Sequence, residues 1–202
     1  MVKKIRRDNM VRILGSSAHA KDDREKLDFY ATDPQSLELF LDAIESDDDI
    51  VLDQNIWENA CGDGSLSQVL TKHGYSVFST DIEQRGNSHA LMDFTKDVSV
   101  IQWEGDILTN PPYSHAENFV RNSLSVIKEG NYVIMFLRLQ FIEGQRRRKL
   151  YKEFPPKYIY VHSARQMTYK NNRRSKKKSS AVCFAWFIWV TGFIGDPILR
   201  WI

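Results

Sequence analysis

From Pro34 to Ile44 apolar residues recur at Leu37, Phe40, Leu41 and Ile44, the spacing of one helical face. Downstream, short apolar runs alternate with amphipathic stretches. Ile56 to Ala60 is expected as a short strand, followed by the turn Cys61-Gly62-Asp63-Gly64. Ser65 to His73 then reads as a helix stopped by Gly74, and Ser76 to Thr80 as a second strand closing at Asp81. Arg85 to Trp103 is less regular, with one short strand and one short helix expected. Asp106 to Thr109 is the next strand and ends at Asn110. Ala116 to Lys128 carries Phe119, Val120, Leu124 and Ile127 on one helical face. Tyr132 to Leu139 is almost continuously apolar, as expected of a central parallel strand covered on both faces. A basic helix from Gln145 to Phe154 is closed by Pro155-Pro156. Tyr158 to His162 and Ala181 to Val190 are the last strands, separated by a long basic loop.

Strand and helix alternation of this kind predicts an α/β fold with a doubly wound, mostly parallel sheet under helices. The last two strands lack a helical crossover, so they are expected to pair antiparallel at one edge. Ligands of such sheets collect at the carboxyl ends of strands. Those ends are Glu58 to Gly64, Asp81, and Asn110 to Tyr113. Residues 1–26 lack a clear apolar period and are expected as a partly ordered arm, with 27–202 as one domain.

The chain has 202 residues, 42% hydrophobic and 27% charged, ordinary values for a water-soluble globular protein. Its formal net charge of +2 conceals an uneven distribution. Acidic residues gather at Glu45 to Asp49, whereas cations gather at Arg146-Arg147-Arg148-Lys149 and from Arg173 to Lys178. Basic clusters suit a polyanionic partner or form a solvated loop. Cys61 and Cys183 are the only cysteines, which implies no disulfide framework and suits a reducing compartment. The charged N-terminus has no apolar core of a signal peptide, and the apolar run from Ala181 is too short for a bilayer span. A cytoplasmic location is expected, and no metal site is.

Gly62 and Gly64 allow a backbone to approach a ligand where side chains would obstruct it. Asp81 at the second strand end can accept from both ribose hydroxyls of an adenosyl group, or can cap a helix. Together these features point to an adenosine-containing cofactor without separating S-adenosylmethionine from a dinucleotide. Asn110-Pro111-Pro112-Tyr113 separates them. Its prolines fix an extended turn in which the Asn110 side-chain oxygen and the Pro111 carbonyl can converge. An aromatic amine is a poor nucleophile because its lone pair is delocalised into the ring. Two acceptors for its hydrogens favour a tetrahedral nitrogen and strengthen as positive charge develops there. Tyr113 offers a ring for stacking a planar base. The four residues alone specify a planar nitrogen rather than adenine.

On these motifs the chain resembles the amino-methylating class I S-adenosylmethionine-dependent DNA methyltransferases, above all the short adenine-specific enzymes of phages and prophages. Similarity runs from Asp28 onward. Asp28-Phe29-Tyr30-Ala31-Thr32-Asp33-Pro34 resembles the family's N-terminal element, in which Tyr30 and Thr32 would line the methionine end of the cofactor. Glu58 to Leu66, with Ala60, resembles the cofactor loop, although Asn59 stands where the family has proline. Asp81 and the following Ile82 match the ribose-binding position, and Asp93-Phe94 the adenine contact. The apolar stretch Phe184 to Trp189 and the ending Arg200-Trp201-Ile202 are also similar. The resemblance implies a Rossmann-like, seven-stranded sheet with an antiparallel edge strand. It also implies S-adenosylmethionine as cofactor and a flipped-out adenine of double-stranded DNA as substrate.

Extruding a base requires a grip on phosphates. Arg165, Tyr169, Lys170, Arg173, Arg174, Lys176, Lys177 and Lys178 are expected to provide it, assisted by Arg146, Arg147, Arg148 and Lys149. Gln166, Asn171, Asn172 or Arg173 could reach base edges. Amino methylation of RNA or of a protein glutamine remains the alternative, as does a non-catalytic DNA-binding protein on the same scaffold.

Overall fold

A computed structural model describes residues 30–47, 49–86, 88–164, 168–170 and 182–202; the expected arm at 1–26 lies outside them. In chain order the elements are β1 (Tyr30–Thr32), α1 (Pro34–Glu45), β2 (Asn55–Glu58), α2 (Ser65–Lys72), β3 (Ser76–Asp81), β4 (Ala90–Leu91) and β5 (Asp106–Thr109). They continue with α3 (Ala116–Val126), β6 (Tyr132–Arg138), α4 (Arg148–Glu153), β7 (Tyr158–Val161), β8 (Thr168–Lys170), β9 (Phe184–Val190) and β10 (Ile198–Trp201). Most expected elements form within a few residues of their expected bounds. Among the described residues between Arg85 and Trp103 the expected helix does not form; only the two-residue β4 does, and the rest is largely turns and bends.

Eight strands make one sheet in the order β10-β7-β9-β6-β5-β2-β3-β4. Strands β4, β3, β2, β5 and β6 pair parallel. As the missing crossover predicts, β9 runs antiparallel to both β6 and β7. The eighth strand, beyond the seven expected, is β10, which pairs parallel with β7. It needs no crossover helix, because it follows β9, which already runs the opposite way. A separate ribbon pairs β1 antiparallel with β8, within the expected basic loop.

Apolar residues fill both faces of the sheet, which explains its continuous hydrophobic runs. Trp57, Ile107, Val133 and Met135 face one cluster with Phe119, Val120 and Leu124 of α3. Their chain neighbours Ile56, Leu108, Ile134 and Phe136 face another with Leu37, Phe40 and Leu41 of α1 and Leu66, Val69 and Leu70 of α2. Strand alternation thus assigns successive side chains to opposite layers. Asp33 caps α1 by accepting from the Gln35 N–H at 3.1 Å, and Pro34 sits in the first turn, where its missing N–H costs nothing. No helix among the described residues is long and apolar enough to cross a membrane.

At the amino edge, Asp106 is fully buried at the start of β5. It accepts from Asp53 N at 2.7 Å, Tyr132 N at 2.8 Å and Asn131 Nδ2 at 3.1 Å. One carboxylate therefore ties the approaches to β2, β5 and β6.

Candidate active site

Strand order reverses between β2 and β5: the chain moves outward from β2 to β3 and β4, then from β5 to β6. Such a reversal opens a crevice at the carboxyl ends of the two strands. Glu58 closes β2, Asp81 closes β3, and Asn110 follows β5 directly.

The turn after β2 uses left-handed backbone at Gly62, φ 55°, and at Gly64, φ 81°. A Cβ on Gly64 would meet nothing within 4 Å, so φ rather than crowding demands glycine there. Gly62 N donates to Asp81 Oδ2 at 2.8 Å, and Glu83 N donates to Oδ1 at 3.1 Å. Asp81 therefore pins the turn, a role its sequence position did not suggest. A carboxylate has about four lone-pair sites, so these two bonds leave it capacity for ribose hydroxyls. Gly86 was not foreseen: a Cβ there would lie 2.8 Å from the Asp63 carbonyl carbon and oxygen. The segment leaving β3 thus rests against the glycine turn.

Glu58 is 1% exposed and accepts from the Ser67 hydroxyl, which also lies 2.6 Å from Ser79 Oγ. Burial pushes the Glu58 carboxyl up to about 8, and the nearby Asp63 and Asp81 carboxylates add to the shift. The Cys61 thiol is pushed up to about 12, again mainly by burial. Asn59, at the proline position of the related loops, sends Nδ2 to Ser123 Oγ at 3.2 Å. Its Oδ1 is buried without a partner among the described residues. A crevice walled by carboxyls and glycine backbone fits an adenosyl ligand that carries positive charge.

Ile82 is 47% exposed at the crevice mouth, an apolar surface for a planar ring, and Ala60 is half-buried on the turn. Asp93 accepts from Thr95 N at 3.1 Å and Thr95 Oγ1 at 2.6 Å, and the Thr95 bond holds its carboxyl below the ordinary range. Phe94, expected at the adenine contact, has its ring in the core. At 1% exposure it packs edge-on to Trp57 at 5.2 Å and against Phe119 at 5.3 Å, supporting the site from the core.

On the other wall, Asn110 Nδ2 donates to Thr32 Oγ1 at 2.7 Å. Pro111 is buried, and Pro112 leads at φ −57°, ψ 123° into a short 3-10 turn, Tyr113–His115. The Tyr113 ring packs 6.0 Å from Phe184, and the Arg138 guanidinium lies over it at 4.6 Å. A planar ring stacking on that face meets Arg138 first. Only the position of Arg138 at the end of an apolar strand pointed to it in the sequence. Tyr30 belongs to β1 beside Thr32.

The residues expected to contact DNA fall into four groups. Arg146, Arg148 and Lys149 are exposed beyond the carboxyl end of β6, with Lys149 3.6 Å from Glu153. Arg147 departs from the expectation. Its guanidinium donates to the carbonyls of Phe141 at 2.8 Å, Gln140 at 3.2 Å and Glu143, and stacks on the Phe141 ring at 4.8 Å. It braces the loop after β6 and is committed to that loop. Tyr169 and Lys170 belong to β8. Arg165, Gln166, Asn171, Asn172, Arg173, Arg174, Lys176, Lys177 and Lys178 lie outside the described residues. Among the described residues no cluster of His, Cys, Asp and Glu is built to hold a metal ion.

No protein-family model matches the chain, and no curated protein matches it in sequence. Solved structures do resemble it. A Pyrococcus horikoshii protein provisionally named an RNA methyltransferase aligns over 92% of this chain and 98% of its own, with TM-score 0.57 and 15% identity. A Listeria monocytogenes protein provisionally named a class I S-adenosylmethionine-dependent methyltransferase aligns over 96% and 70%, with TM-score 0.57 and 13% identity. An Agrobacterium tumefaciens protein provisionally named an O-methyltransferase aligns over 73% and 78%, with TM-score 0.54 and 13% identity. At these identities the likeness is one of fold: the chain has the Rossmann-like architecture of class I methyltransferases.

Proposed function

We propose that the chain is an S-adenosylmethionine-dependent methyltransferase that methylates the exocyclic amino group of an adenine extruded from DNA. The observation that carries this reading is the position of Asn110-Pro111-Pro112-Tyr113. The motif leaves β5 at the strand-order reversal, across the crevice from the glycine turn of β2.

The bound cofactor supplies an electrophilic methyl group on a sulfonium. Glu58 and Asp63 would hold its cationic portion and Asp81 its ribose hydroxyls, while Gly62 and Gly64 would let backbone come close. The Asn110 amide oxygen and Pro111 carbonyl accept the two amine hydrogens, which concentrates the nitrogen lone pair on the side facing the methyl group. Tyr113, with the Arg138 guanidinium over its ring, backs the base as a planar platform, so the approach is aligned before reaction. As the nitrogen becomes cationic the two acceptors bind it more tightly, so they stabilise the transition state more than the ground state. Arg146, Arg148 and the basic segment from Arg165 to Lys178 grip the phosphates.

The name of the Pyrococcus structure favours an RNA base as a second substrate class. Incubation with methyl-labelled cofactor and, separately, duplex DNA, RNA and protein distinguishes these readings. Label on adenine in DNA is expected. Label confined to RNA or protein overturns the choice of DNA, and label in none overturns methyl transfer.

A further inference from the structure

Thr32 stands between two anchors. On its C-terminal side the chain enters α1 through the Asp33 cap and Pro34, with Ser36, Leu37 and Phe40 buried directly behind. On its N-terminal side β1 pairs with β8, in the register Thr32↔Thr168, Ala31↔Tyr169 and Tyr30↔Lys170. Its own side chain is 4% exposed, and its hydroxyl accepts from Asn110 Nδ2 at 2.7 Å. A hydroxyl can donate as well as accept, so what this contact fixes is the place and plane of the Asn110 amide beside the reacting nitrogen.

We infer that Thr32 is a positioning residue for Asn110, and that pairing of β1 with β8 helps to hold Thr32 in place. The inference rests on the methyl-transfer reading for its kinetic consequences. A two-stranded ribbon of three-residue strands has little stability of its own. Each strand therefore depends on the other, and β8 backs Thr32 on the side away from α1.

Thr32→Val keeps the shape and removes the acceptor, whereas Thr32→Ser keeps the hydroxyl. In steady-state methyl transfer, Thr32→Val is expected to lower kcat roughly 30-fold, with KM for cofactor and DNA nearly unchanged, and Thr32→Ser to restore most of the rate. An unchanged kcat, or a loss confined to cofactor KM, overturns the positioning role. Thr168→Pro tests the coupling by disturbing β8. Its loss and that of Thr32→Val are expected to be non-additive in the double variant, and additive losses overturn the coupling. The Asn110 side-chain amide resonance, assigned in the full chain with Asn110→Asp, provides a readout free of any substrate choice. It is expected to shift in Thr32→Val and Thr168→Pro and to stay near its original position in Thr32→Ser. That result in a protein that methylates no DNA would reject the substrate reading and keep the positioning inference; an amide signal indifferent to both variants would reject the inference itself.

Discussion

The two edges of the sheet handle buried polarity in opposite ways. At the amino edge Asp106 is fully buried and receives donors from Asp53, Tyr132 and Asn131, each within 3.1 Å. Burial pushes its carboxyl up, while the bonds from Tyr132, Asp53 and Asn131 oppose the shift. At the carboxyl edge Glu58 is almost as buried, but the Ser67 hydroxyl is its partner and its carboxyl rises to about 8. Asn59 Oδ1 and Thr109 Oγ1, at the same edge, are buried without partners among the described residues. A carboxylate that ties three strand approaches together is architecture. Three carboxyls gathered beside glycines at positive φ, with Glu58 pushed up by burial and by the other two, make a place suited to a cationic ligand.

The largest separation of the two edges is expected from matched amide substitutions. Asp106→Asn turns an N–H toward donors it cannot accept from, and should cost about 2–4 kcal/mol in denaturant unfolding. Glu58→Gln should leave unfolding nearly unchanged at neutral pH, because the wild-type side chain is itself mostly protonated there. Equal losses at both positions would erase the distinction.

Next in size is a pH effect specific to the carboxyl edge. From the ordinary carboxylate range up to about 8 the folded protein holds a proton on Glu58 that the unfolded chain has shed. Stability attributable to Glu58 therefore falls as pH rises through that window. A cationic ligand favours the ionised carboxyl and releases the proton. Affinity for S-adenosylmethionine should accordingly rise with pH by up to about tenfold per unit until about 8, then level off. Calorimetry on wild type and Glu58→Gln checks this, since the variant should show a flat profile.

Gly86→Ala should weaken cofactor binding roughly tenfold, because the new methyl forces the Asp63 backbone, and with it the glycine turn, to move. Titration of the folded variant measures it, and unchanged affinity would detach this segment from the site. The smallest effects divide the arginines after β6. Arg146→Gln and Arg148→Gln should each reduce the salt slope of DNA binding by about 1 without altering stability. Arg147→Gln should instead cost about 1–2 kcal/mol of stability by leaving loop carbonyls unsatisfied.

Much of this was legible along the chain. Asp106 to Thr109 emerges as a strand at its expected bounds because its residues are buried on both faces, and the glycine turn and Asn110 follow strand ends as expected. What the chain concealed depends on distant partners. Strands β1 and β8 are three residues each and owe their existence to each other across most of the sequence, so neither has a period to read. Strand β10 leaves Ile198 and Trp201 exposed, and so lacks the apolar run that marks β6 and β9. Arg147 looks like its neighbours in a basic run, and only the fold turns it inward onto carbonyls. Phe94 is likewise assigned to the core by Trp57 and Phe119, which arrive from other elements.

The proposed function centres on Asn110 as the acceptor that activates an adenine amine beside a bound cofactor. The direct measurement is nucleoside mass spectrometry of DNA from a methylation-deficient host expressing either the wild-type chain or Asn110→Ala. N6-methyladenine is expected with wild type and should fall by roughly 10²–10³-fold in the variant, while purified Asn110→Ala still binds S-adenosylmethionine. Wild-type DNA without N6-methyladenine, or equal modification by the variant, would contradict it.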